Sequence, residues 1–185
     1  KAPGQLAWRF MPTKRFMSII AYYKQTLLAD RLNVIEEHTS SEFISIASKL
    51  YRISDEVAFA VCGPTIHSKD MPQISQWLIT MMLSMEVTHQ APVLIDGVKE
   101  TYLRDRRILV MSKNYCLTLE EGSGAVLLEG KGVIAYGTGR MAFLTAAAAK
   151  LGRKAIIPFV AKMTPTVSRE FDRIDQISLL AFKGI

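Results

Sequence analysis

The chain has 185 residues, 49% of them hydrophobic and 22% charged, with a net charge of +6. That length supports one domain with a sizeable core, and the composition excludes an intrinsically disordered polymer. No apolar run approaches the ~20 residues of a membrane-spanning helix, and residues 1–10 lack the continuous apolar stretch of a secretory signal, so no membrane partner and a cytoplasmic location are expected.

The basic residues are interleaved with acids, as in Arg104-Asp105-Arg106-Arg107. A nucleic-acid surface needs a concentrated basic stripe with interspersed aromatics, so no nucleic-acid partner is expected. Cys62 and Cys116 sit in apolar runs and read as buried free thiols. His38, His67 and His89 are scattered without ligand spacing, so neither a metal nor another cofactor is expected.

Residues 1–15 form an irregular extension broken by Pro3, Gly4 and Pro12. Residues 16–23 (FMSIIAYY) and 25–32 (QTLLADRL) read as two strands joined by a tight turn near Lys24. Residues 33–42 are polar and loop-like, and residues 43–52 (FISIASKLYR) alternate as one half-buried strand. Residues 57–62 (VAFAVC) are continuously apolar, which predicts a central buried strand, stopped by Gly63-Pro64.

Over residues 71–85 the apolar positions Met71, Ile74, Leu78, Met81, Met82 and Met85 follow a three/four spacing and predict a helix packed on a sheet. Residues 92–107 leave room for a short second helix ending at 102–107. Residues 107–112 (RILVMS) and 115–119 (YCLTL) read as a hairpin around Lys113-Asn114. The glycine-rich stretch 120–131 contains one short apolar run, 125–128. Residues 132–136 read as a second central strand leading into Gly137-Thr138-Gly139, where glycine serves backbone geometry. Residues 140–151 form an alanine-rich helix stopped by Gly152. Residues 153–162 form another helix, and residues 174–182 a last strand. No repeat or linker interrupts the chain, so residues 1–185 read as a single domain. Hairpin-linked strand runs separated by helices point to an α+β, four-layer α-β-β-α sandwich: two antiparallel sheets, each covered by helices.

Four stretches resemble signatures of the proteasome and of the peptidase half of the bacterial HslUV protease, the N-terminal nucleophile hydrolase fold. Leu28-Ala29-Asp30-Arg31 resembles the end of that family's second strand, and residues 48–63 (SKLYRISDEVAFAVCG) its next hairpin. Residues 132–151 (GVIAYGTGRMAFLTAAAAKL) resemble its strand, glycine turn and helix, and residues 164–172 (TPTVSREFD) its late acidic motif. The resemblance implies the roles that follow. Active members begin the first strand with a processed threonine, whose hydroxyl attacks a peptide carbonyl with its own amine as base and a lysine nearby. With a strand starting near Phe16, the matching position is Lys14, or Thr13 if the alignment slips by one residue. Asp30 and Lys49 match the family's acidic and basic positions.

The departures weigh against activity. Residues 1–12 lie upstream of Thr13, and Pro12 stands where the family usually cuts after glycine. Thr138 replaces a serine, and Thr164 replaces an orienting aspartate. The expected function is therefore a non-catalytic, self-associating subunit of a ring or larger assembly, of the kind a virus or phage could encode, found then in host cytoplasm or virion. The alternative is a threonine peptidase seen as an uncleaved precursor, with Thr13, Asp30 and Lys49 as its catalytic residues. A basic α/β binding module is a third reading.

Overall fold

A computed structural model describes residues 19–36, 42–46, 48–128, 132–165 and 167–179. Strand β1 (Ile19–Tyr22) and strand β2 (Thr26–Asp30) form an antiparallel hairpin with Ile20 opposite Ala29 and Tyr22 opposite Leu27. The two-residue turn between them places Lys24 at φ 49° and Gln25 at φ 57°. Positive φ at both central positions suits the right-handed twist of the strands, and here neither position is glycine. Strand β3 (Leu32–Glu36) and strand β4 (Glu42–Ile46) pair as a separate two-stranded sheet. Strand β5 (Leu50–Arg52), strand β6 (Val57–Cys62), strand β7 (Arg107–Ser112), strand β8 (Cys116–Glu120) and strand β9 (Gly124–Leu128) follow one another across a five-stranded antiparallel sheet. Strand β10 (Ile134–Gly137) and strand β11 (Phe171–Asp175) flank the first hairpin, in the order β10-β1-β2-β11.

Helix α1 (Met71–Thr88) covers the five-stranded sheet. Helix α2 (Asp96–Val98) runs into one wide helical turn, Lys99–Leu103. Helix α3 (Arg140–Ala148) and helix α4 (Ile156–Met163) cover the four-stranded sheet. The result is the expected α-β-β-α sandwich with three apolar layers. Period-two alternation assigns each residue to its layer. On β6, Val57, Phe59 and Val61 meet Ile74, Leu78, Met81, Met82 and Met85 of α1. The intervening Ala58, Ala60 and Cys62 face the other sheet, against Ile20, Tyr22, Leu27 and Ala29. Ile19, Ala21 and Leu28 point the opposite way, onto Phe143, Ala146, Ile157 and Val160. Small residues on the inner face of β6 let the two sheets approach, while the larger ones fill the space under the helix.

Several expectations require correction. Residues 33–42 are not simply a loop, because β3 and β4 pair Asn33 with Ser45 and Glu36 with Glu42. Residues 43–52 are not one strand. The chain leaves β4 and re-enters the five-stranded sheet at β5, with Lys49 between the two. The second buried strand, β10, lies at a sheet edge rather than centrally, because among the described residues only β1 pairs with it. Helix α3 stops earlier than Gly152 would have it. Lys150 takes φ 60°, and the amides of Lys150 and Leu151 bond back to the carbonyls of Ala147 and Ala146. This left-handed cap needs no glycine when the surrounding hydrogen bonds hold it. The last strand lies earlier than residues 174–182, at β11, and is followed by the 3-10 turn Gln176–Leu179. Residues 1–15 and 180–185 lie outside the described residues.

The two sheets are also stapled by polar groups. The Tyr22 hydroxyl donates to Gln176 Oε1 at 3.0 Å, and Gln176 Nε2 donates to the Ser112 carbonyl at 2.9 Å. One amide side chain thus joins the four-stranded sheet to the five-stranded one. A further bond links Thr118 and Tyr136 through their hydroxyls at 2.9 Å. Burial pushes the Tyr22 phenol from its ordinary 10.0 up to about 12, and the neighbouring Cys116 acts in the same direction.

Two outcomes follow from this packing. Leu78 is fully buried beneath α1, so Leu78→Ala should cost about 2–5 kcal/mol of unfolding free energy, measured by urea titration. The Tyr22 phenol ionises at pH 10 in the unfolded chain and near 12 in the fold. Its contribution to stability is therefore complete below pH 10 and lost as the pH climbs toward 12. Tyr22→Phe should be less stable than the parent at pH 8 because Gln176 loses its donor, and the gap should narrow between pH 10 and 12.

Candidate functional site

The site is built around a carboxylate at the end of a central strand. Asp30 closes β2, flanked by β1 on one side and β11 on the other, where it lies opposite Phe171. Its side chain is fully buried, so its charge requires partners. Oδ1 accepts from the Ile19 amide at 3.0 Å and from Lys49 Nζ at 2.5 Å. Oδ2 accepts from the Ser168 amide at 3.0 Å. Three chain segments distant in sequence therefore converge on one residue: the head of β1, the lead into β5, and the segment between α4 and β11.

Lys49 reaches Asp30 because its own backbone is anchored. Its carbonyl accepts from the Val61 amide at 3.1 Å, extending the β5–β6 pairing by one residue. The side chain leaves the five-stranded sheet and ends on a carboxylate of the four-stranded one. Only 4% of Lys49 is exposed. Burial pulls its ammonium below the ordinary 10.5, and the charge and hydrogen bond of Asp30 oppose that shift without cancelling it. Beside the pair, Arg31 forks onto Asp172 Oδ1 through Nη2 at 2.5 Å and Nε at 2.8 Å. This second ion pair is partly exposed and ties the exit of β2 to β11.

The glycine turn closes the site from another side. Gly137 adopts φ 107°, which disfavours any side chain. Gly139 has an ordinary φ of −79° and is required for a different reason. A Cβ there would come within 2.8 Å of Val160 Cγ1, 2.9 Å of Val167 Cγ2 and 3.4 Å of Ile19 Cδ1. Valine is stiff about χ1, so neither valine contact yields readily. The β10–α3 turn therefore seats directly against Ile19, the head of β1, whose amide bonds to Asp30.

Of the residues expected at a catalytic centre, Asp30 and Lys49 come together and Thr13 lies outside the described residues. Asp30 Oδ1 meets the chain at the amide of Ile19, which Ser18 precedes in the sequence. Thr13 is five residues farther upstream, about 16 Å of extended chain. The amides of Ile19 and Ser168 carried no signal in the sequence, because any residue type supplies an N–H. Thr164 lies just past the end of α4. Its amide bonds to Val160 O at 2.8 Å and its carbonyl accepts from Val167 at 3.0 Å, making the turn that ends α4. Among the described residues no three His, Cys, Asp or Glu side chains gather as a metal site would require.

Two antiparallel sheets packed face to face and clad in helices make a four-layer α-β-β-α sandwich of the proteasome-like fold. Solved structures bear out that class at the level of fold. Over 85% of its length the chain superposes on 97% of eukaryotic HslV from Trypanosoma brucei, with a TM-score of 0.56 and 15% identity. It likewise matches 95% of BPH from Thiobacillus denitrificans, with a TM-score of 0.52 and 10% identity. A structure of that bacterial protein in complex with epoxomicin gives a TM-score of 0.53, again at 10% identity, with 85% of this chain and 96% of that one covered. No protein-family model matches the sequence, and no curated protein matches it either. Among the described residues, no helix is long and apolar enough to cross a membrane.

The geometry makes the pair's structural role measurable. Asp30→Ala strands a buried ammonium and two amides, and should cost about 3–5 kcal/mol by chemical denaturation. Combining it with Lys49→Met should recover part of that loss, since no unpaired charge then remains. The residual cost would report the bonds from Ile19 and Ser168.

Proposed function

We propose that this chain is a non-catalytic subunit that uses the sandwich as a self-associating building block, in a ring or a larger assembly. The observation that carries the reading is the closed state of the Asp30–Lys49 pair. The carboxylate holds two backbone amides and an ammonium, and both side chains are withdrawn from solvent. The pair thus acts as a staple between the sheets. The pair is satisfied without any nucleophile beside it, so it can serve the fold alone. Thr164 supplies a hydroxyl where the resembled family has an orienting carboxylate.

The outer surface supports self-association. Leu83, Val87, Val93 and Ile95 are exposed along and just beyond α1, and Met141, Phe159 and Met163 are exposed on α3 and α4. Apolar side chains grouped on the outer helical layers suit burial against another subunit. T. brucei HslV has this same layered fold.

The bond from the Ile19 amide to Asp30 favours one second reading, an N-terminal nucleophile hydrolase awaiting cleavage before Ser18. Its nucleophile would be the Ser18 hydroxyl, with Lys49 and Asp30 beside it. The threonine version requires Thr13 instead. The two are separated from the non-catalytic reading by intact mass and by labelling with an epoxyketone probe, with Ser18→Ala and Thr13→Ala as controls. We expect an unprocessed mass and no covalent adduct. An adduct lost in Ser18→Ala would establish the hydrolase, and one lost in Thr13→Ala the threonine peptidase.

A further inference from the structure

Every open sheet has two edges, and an edge strand with unpaired amides and carbonyls invites another strand. Among the described residues, three of the four edges of the two large sheets are blunted in recognisable ways. Strand β5 is three residues long and ends in Arg52. Strand β11 carries Asp172, Arg173 and Asp175 within five residues. Strand β10 has four residues and ends at Gly137, whose φ of 107° departs from extended backbone. Strand β9 likewise begins at a glycine of positive φ, Gly124 at 71°, but among the described residues it has no other of these protections. Its five residues, Gly124-Ala125-Val126-Leu127-Leu128, include no charge and no proline. Val126 is 45% exposed.

We propose that β9 is a self-pairing edge, through which two copies of this chain join their five-stranded sheets into one continuous antiparallel sheet. This rests on the self-association reading above and names the surface that carries it. A two-fold axis through Val126 places Val126 against its own copy, Ala125 against Leu127, and Gly124 against Leu128. Each pair is apolar on both sides, so the register opposes no like charges, and the Val126 pair is the β-branched cross-strand contact that sheets favour. Layering is also preserved. Ala125 and Leu127 pack on the α1 side of their own sheet, while Leu128 packs on the inter-sheet side. Joining two β9 strands antiparallel sets Ala125 of one copy beside Leu127 of the other, on the same face. The apolar layer under α1 then continues across the junction. A charged partner strand gains nothing comparable here, which is why a second copy is the occupant.

The test compares wild type, Val126→Lys and Val126→Ile by size-exclusion chromatography with light scattering, with thermal melts as a fold control. A lysine on an exposed edge position opposes its own copy across the axis, whereas isoleucine keeps the contact. The expected result is a wild-type mass at an even multiple of 20.7 kDa, halved by Val126→Lys and retained by Val126→Ile. A Val126→Lys mass equal to that of an associating wild type overturns the β9 junction and leaves self-association by another surface. A monomeric wild type overturns both. Hydrogen exchange on wild type supplies a readout that needs no variant. Amides of residues 125–127 should gain protection as protein concentration rises, and protection that is independent of concentration counts against the junction.

Discussion

A single buried carboxylate sets the geometry of one end of this molecule. Asp30 has no exposure, and ionising a carboxylate away from water is tolerable only when its oxygens are fully engaged. That requirement dictates where three other segments run. The head of β1 must offer its Ile19 amide, the α4–β11 segment must offer that of Ser168, and the chain before β5 must deliver an ammonium. The sheets are held at this end by charge and at the other by the Tyr22–Gln176–Ser112 chain. Between them lies an apolar layer that fixes the spacing but not the relative position of the sheets, because apolar contact is non-directional.

The layer itself depends on an unequal division of side-chain volume. Ala58, Ala60, Cys62 and Ala29 face inward, while Phe59, Ile108, Val110, Leu117 and Leu119 face α1. The small inner-face residues of β6, set among larger ones such as Ile20, Leu27 and Leu109, leave room for the sheets to pack where Lys49 reaches Asp30. The same closeness explains the two glycines of the β10–α3 turn. One supplies a left-handed backbone and the other the absence of a Cβ against Val160 and Val167. The turn, the α4–β11 segment and the strand head are thus packed as one block.

A site so constructed can serve a structural or a chemical purpose with few changes. Lysine and aspartate contribute to the fold by pairing, and to catalysis only if a nucleophile is presented to them. Their presence is therefore a poor indicator of activity. What discriminates is the group on the upstream side of Ile19 and the residue at position 164. Identities of 10–15% to solved structures over 85% of the chain show how little sequence this architecture demands. Alternation, layer volumes and a few compulsory polar contacts are enough to hold it.

The strand and helix order, the sandwich, the α1 core face and the meeting of Asp30 with Lys49 were legible in the sequence, because each leaves a local signature. Period two marks the strands, three/four spacing marks α1, and the short motifs around Asp30 and Lys49 mark their places. The hairpin of β3 and β4 was not legible, since polar residues there mimic a loop and pairing partners are non-local. The edge position of β10 escaped for a related reason. A continuous apolar run reports burial on both faces but not the number of neighbouring strands, and β10 draws its burial from α3 and β1. The cap of α3 at Lys150 rather than at a glycine was decided by hydrogen bonds that only the folded chain supplies. Only the tertiary structure places the Ile19 amide beside the buried pair, since a backbone amide looks the same in every sequence until the fold gives it a partner.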